Sequence, residues 1–147
     1  FIFMFKKIVV AFITKQFKNK SFLVGLNIAR KFDGSVTVVD CVYKQPPKFV
    51  FFETSDDKKS YVKTKEKISK SLEEFEKMAE IRGIKIKTKI ALTESISDWI
   101  VDFVKDHDTD LLIIDHPHLS EFENDHYEHI IRSITDNVKV PILLLRS

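Results

Sequence analysis

At 147 residues, with 44% apolar and 31% charged side chains, the chain has the make-up of one globular domain (1–147) rather than a disordered segment. It is long enough to bury about two-thirds of its unfolded surface. Its 24 basic and 22 acidic residues leave a net charge of only +2. The arginines are scattered at Arg30, Arg82, Arg132 and Arg146, which argues against the basic stripe of a nucleic-acid binder.

Cys41 is the only cysteine, so an internal disulfide and a thiolate metal cluster are excluded. It lies in the apolar run VTVVDCV, where a small packed side chain is expected, and a reducing cytoplasm is the natural compartment. The opening FIFMFKKIVVAFIT is apolar, but Lys6 and Lys7 interrupt it. No basic region precedes it and no small-residue cleavage site follows, so it does not read as an export signal. It is also too short to span a bilayer as a helix. Met4 is a candidate initiator, with Phe1–Phe3 left by an extended reading frame; the alternative is that those residues lengthen the first strand or cover a partner surface.

In chain order, KIVVAFI (7–13) is a continuous β-branched apolar run, the pattern of a strand covered on both faces. Residues 17–32 follow helical spacing, with Phe22, Leu26, Ala29 and Phe32 on one stripe. Asp33-Gly34 closes that helix, glycine being the residue expected to take the left-handed turn. SVTVVDCVY (35–43) is a second strand, and its Asp40 is a carboxylate with no acid–base partner in view. Pro46-Pro47 breaks regular structure ahead of the apolar patch FVFF (49–52). That patch is either core packing from a loop, or a lid or protein contact.

Ser55-Asp56-Asp57 supplies capping residues for a helix expected to reach Arg82, with Tyr61, Ile68, Leu72, Phe75 and Ala79 inward. Gly83 stops it. IKIKTKIAL (84–92) alternates like an edge strand with one wet face. Residues 93–108 form the clearest amphipathic helix, Ile96, Trp99, Ile100, Phe103 and Val104 matching the helical template. Ser95 and Asp98 resemble a capping box, and Trp99 belongs to the core stripe. A fourth strand is predicted over 110–115, a loop over 116–125, a helix over 126–137 and a last strand over 140–146. Five strands alternating with four helices, with right-handed crossovers, predict an α/β three-layer sandwich around a parallel sheet.

Four segments, FKKIVVAF, GLNIARKFDGSVTVVD, SDWIVDFVKDHDTDLLIID and VPILLLR, together resemble the universal stress protein family across roughly residues 5–146. The resemblance implies sheet order 3-2-1-4-5, a stress-response role, and a homodimer formed through the C-terminal strand. ATP-binding members carry Asp at the end of the first strand; this chain has Ile13, followed by Thr14 and Lys15. Those members also carry Gly, two residues, Gly, nine residues, then Gly-Ser or Gly-Thr after the fourth strand. The matching positions here are Asp115, His118, Glu128 and His129.

Glycine at those positions admits phosphate to the backbone amides, and a side chain fills that space. A like-charge pair at 4 Å costs about 1 kcal/mol in water and about 4 kcal/mol near a protein surface. Several such terms offset the roughly 8 kcal/mol of a micromolar nucleotide affinity. The sequence therefore argues against ATP or AMP as a cofactor.

His116, His118, His126 and His129 lie beside Asp115, Glu121, Glu123, Asp125 and Glu128. Imidazole and carboxylate suit zinc, nickel or copper, and His126 and His129 share a helix face, so a two-plus-two metal site is one reading. The other makes Asp125 a helix N-cap and Glu128 its capping-box partner. No GxSxG nucleophile elbow occurs. The expectation is a non-enzymatic cytoplasmic stress protein, without nucleic-acid or membrane partners, acting through homodimerisation and association with a protein or small ligand. The alternatives are a nucleotide binder with a divergent pocket and a metal-binding module.

Overall fold

The computed structural model of the chain describes residues 4–13, 19–44, 55–116 and 121–146, with the side chains of 55–61 and 121–123 outside that description. Five strands, β1 (Lys7–Phe12), β2 (Ser35–Tyr43), β3 (Ile86–Thr93), β4 (Leu111–His116) and β5 (Ile142–Arg146), alternate with four helices. These are α1 (Asn19–Phe32), α2 (Ser55–Ile81), α3 (Ile96–Asp106) and α4 (Glu121–Asn137). The sheet is parallel throughout, in the order β3-β2-β1-β4-β5. No described helix is long and apolar enough to cross a membrane.

Strand periodicity divides the core into two layers. Ile8, Val10, Phe12, Val36, Val38, Leu111 and Ile113 face Phe22, Leu26 and Ala29 of α1 and Ile68, Leu72, Phe75 and Ala79 of α2. Val9, Ala11, Ile13, Val39, Cys41, Leu112 and Ile114 face the other way, onto Ile96, Ile100, Phe103 and Val104 of α3 and Tyr127, Ile130 and Ile134 of α4. Covering on both faces is why β1 and β4 read as unbroken apolar runs. Gly25 lets α1 approach the sheet: a Cβ there would stand 2.8 Å from Val10 Cγ2. The edge strand β3 keeps its wet face. Lys85, Lys87 and Lys89 are exposed, and Lys89 Nζ lies 5.5 Å from the Trp99 ring centre and 5.4 Å from that of Phe103.

Three of the four helix C-termini share one device. The amides of Gly34, Ile84 and Thr109 each bond the carbonyl five residues back, at Ala29, Ala79 and Val104. This is the Schellman closure, which needs a left-handed residue just before the donor. Gly83 supplies it at φ 70, but elsewhere Asp33 (φ 53) and Asp108 (φ 49) do. The expectation that Gly34 takes the left-handed turn is thus corrected: Asp33 tolerates it. Gly34 is needed because a Cβ would fall 2.5 Å from the Lys6 carbonyl oxygen.

Three other expectations also change. His116 ends β4, registered with Arg146, instead of opening a loop. Helix α4 begins at Glu121, so Asp125 is inside the helix and cannot cap it, and Glu128 accepts from Asn124 Nδ2 at 3.1 Å. The sequence has Glu at 121 and 123, and acidic residues near a helix start are favoured by the positive end of its dipole. Ser95 does cap α3, accepting from the Asp98 amide at 3.4 Å, but its own amide bonds Thr93 Oγ1 at 3.1 Å. The reciprocal half of the capping box is not made by Asp98, whose side chain is one methylene shorter than that of Glu. The Pro46-Pro47 break, the FVFF patch and the inward placing of Tyr61 lie outside the described residues or side chains.

Candidate functional site at the carboxyl end of the sheet

In sheets of this order the crevice lies beyond the carboxyl ends of β1 and β4, whose crossovers leave in opposite directions. Ile13 follows β1 and is buried in the layer facing α3 and α4, offering that crevice hydrocarbon and no charge. Asp115, 2% exposed, is on the opposite face. Its Oδ1 accepts from Ser21 Oγ in the first turns of α1 at 2.6 Å, a short charge-assisted bond. Its backbone carbonyl accepts from the Tyr127 hydroxyl of α4. One residue thus ties β4 to a helix on each side of the sheet.

Tyr127 is 2% exposed, and burial, then the nearby Asp115 charge, push its hydroxyl well above the usual phenol range. It stays a neutral donor. The half-buried His116 ring tilts against Tyr127 with centres 4.6 Å apart.

Asp40 stands in the same row. Phe12 is registered with Asp40, and one further step of the β1–β4 register sets Phe12 beside Asp115. Two carboxyl groups therefore flank Phe12 on one face, about 10 Å apart at two strand spacings. Asp40 is 2% exposed, and desolvation raises it from the ordinary 3.8 to about 7. Beside it, burial and then the Asp40 charge raise the Cys41 thiol far above its normal value, so Cys41 is inert packing.

Of the other expected site residues, those on α4 are not brought to this floor. Glu128 and His129 are exposed on α4, as is His126, while Tyr127 turns inward between them. His118 lies outside the described residues. Among the described residues no group of three or more His, Cys, Asp or Glu side chains is placed to hold a metal ion. Ser21 and Tyr127 were not singled out from sequence. Their bonds to Asp115 span 94 and 12 residues, and no local pattern carries such contacts.

Comparison with known proteins gives this geometry its family. No curated protein sequence matches the chain. A universal stress protein family member from Burkholderia pseudomallei superposes with TM-score 0.73 at 12% identity, covering 98% of each chain. A universal stress protein from Archaeoglobus fulgidus, solved in complex with dAMP, gives 0.63 at 18% identity over 96% of this chain and 98% of that one. A family protein from Arabidopsis thaliana, solved with AMP bound, gives 0.63 at 17% identity over 96% and 91%. At such identities these neighbours speak for the fold alone. The model of the universal stress protein family matches residues 4–146, and with the sheet order in place the chain belongs to that family.

Proposed function

We propose that this chain is a single-domain, non-enzymatic cytoplasmic stress-response protein that works as a homodimer, associates with a protein or small ligand, and binds ATP weakly or not at all. The observation that carries this reading is Asp115. Where the resemblance sets the first phosphate-loop glycine, a carboxylate is held inside the protein by Ser21 Oγ. A glycine there would leave space and no charge. Ile13, where nucleotide-binding members carry Asp, removes a polar contact as well. Homodimerisation is supported by β5, an edge strand whose Ile142, Leu143, Leu144 and Leu145 are only half-buried within one chain.

The second reading is a nucleotide binder with a divergent pocket, favoured by the dAMP and AMP found with the Archaeoglobus and Arabidopsis proteins. Thermal unfolding with ATP, AMP and divalent metals separates the readings. The proposal expects no saturable nucleotide shift. A saturable ATP shift that survives chelation establishes the second reading instead. Stabilisation by one metal, lost on joint substitution of His116 and His118, would support a metal site. Sedimentation tests the dimer: monomer alone at high micromolar concentration removes it.

A further inference from the structure

The outer border of the sheet at β3 has two unlike faces. Strand alternation turns Ile86, Thr88 and Ile90 toward α2, and Lys85, Lys87 and Lys89 toward α3. The backbone alternates as well. The carbonyls of Lys85 and Thr93 accept from the Val36 and Lys44 amides on the β2 side, at 3.4 and 2.8 Å. In a parallel strand every second residue bonds the same neighbour, so the amides and carbonyls of Ile86, Thr88 and Ile90 point outward. Among the described residues no strand pairs with that border.

The border is also grooved. Two shallow hollows of about 430 Å³ each run between α2 and β3 and meet at Glu76 and Thr88, whose hydroxyl bonds the Glu76 carboxylate at 2.7 Å. The half-buried Ile86 and Ile90 form the floor. Glu73, Glu76 and Glu80 stand on the α2 wall, with Lys65 at the Ile90 end. On the opposite face the charge is reversed. Lys85, Lys87 and Lys89 are exposed, and among the described residues none of the three makes an ion pair. Lys89 instead lies over the Trp99 and Phe103 rings. Side chains two residues apart on a strand are about 6.6 Å apart, so these lysines form a row of positive charge along the border.

We propose that the β3 border is a docking edge for an extended acidic segment of a partner protein, which adds to the sheet as a sixth strand. The open backbone groups supply the affinity common to any strand. The two faces supply the choice. A guest with Asp or Glu at every second residue sets its acids beside the lysine row and its uncharged residues beside Ile86, Thr88 and Ile90. A slip by one residue brings the acids against Glu73, Glu76 and Glu80, so the charges fix the register too. A basic guest meets the lysines, and a second copy of β3 brings its own, so both are disfavoured. This names a surface and a partner class for the protein association proposed above, and it rests on that reading.

The test uses the full chain and a fluorescein-labelled peptide, Glu-Val-Glu-Thr-Glu-Val-Glu, followed by anisotropy at low salt. The same peptide with Lys in place of Glu is the control. Saturable binding of the acidic peptide alone is expected. In the complex the amides of Ile86, Thr88 and Ile90 should gain protection from hydrogen exchange, because an added strand gives them acceptors. In Lys85→Glu/Lys87→Glu, changed at exposed positions only, the acidic peptide should bind about tenfold more weakly and the basic one more tightly. No saturable binding at high micromolar peptide overturns the proposal, and so does binding that leaves those three amides unprotected. A short single-stranded oligonucleotide bound as tightly as the peptide overturns it too, assigning the lysines to polyanion attraction. Failure here removes the docking edge alone, whereas a saturable ATP shift removes the reading on which it rests.

Discussion

Asp40 and Asp115 occupy one row of the sheet, on the same face, one strand to either side of Phe12, and each is 2% exposed. Burial is equal and surroundings are not. Asp115 has a hydroxyl from α1 at 2.6 Å, while the described residues give Asp40 no donor. Hydrogen bonding to the charged form opposes desolvation, and where it is missing desolvation acts alone. The contrast is one of partners: at equal burial, Asp115 Oδ1 is tied to α1 through Ser21, and desolvation is the cause that raises Asp40. At the end of β4 the result is a tie between layers, and in β2 it is a carboxyl group that burial pushes above its ordinary value.

The largest effect expected from this contrast is on global stability against pH. Asp40 is raised in the fold from 3.8 to about 7, so its contribution is fully present below pH 4 and lost as pH rises to about 7. That loss is about 4 kcal/mol. Urea unfolding at pH 5 and pH 8 should show a lower midpoint at the higher pH, and a higher one would reverse the assignment.

Ser21→Ala comes next. It leaves the buried Asp115 carboxylate without that donor and should cost about 2 kcal/mol at pH 7 by chemical denaturation. A negligible loss would make the two carboxyl groups equivalent and dissolve the comparison. Tyr127→Phe removes only the hydroxyl on the Asp115 carbonyl and should cost about 1 kcal/mol, read as a fall in Tm. Smallest is Glu128→Gln, on the exposed face of α4, where a change within about 0.5 kcal/mol is expected. A larger loss would mean that the Asn124–Glu128 bond does more than join two surface side chains.

How much of this was legible in the chain follows from the range of each interaction. Strand and helix alternation, the wet face of β3 and the Ser95 cap depend on neighbours within a few residues, and they read correctly. The start of α4 did not, because acids clustered near Pro117 resemble a polar loop as readily as a first helical turn. The Asp33-Gly34 pair reads as a turn, but the need for its glycine does not, since only the folded chain brings the Lys6 carbonyl against Gly34. From sequence Asp40 reads as a carboxylate at the end of an apolar run, able to face a crevice but without an acid–base partner. Its importance comes from Phe12 and Ile90, which pairing alone places beside it. Ser21 and Tyr127 carried no signal for the same reason.

The lysines of β3 have a further consequence for how copies of this chain can join. A parallel sheet has two open borders, and a unit able to stick at both can grow into a fibre without end. Here one border carries Lys87 and Lys89, with Lys85 just ahead of the strand, so two such borders repel, while β5 presents Ile142 to Leu145. On the proposed reading, strand-to-strand pairing between copies would use the β5 border alone and would therefore end at two copies.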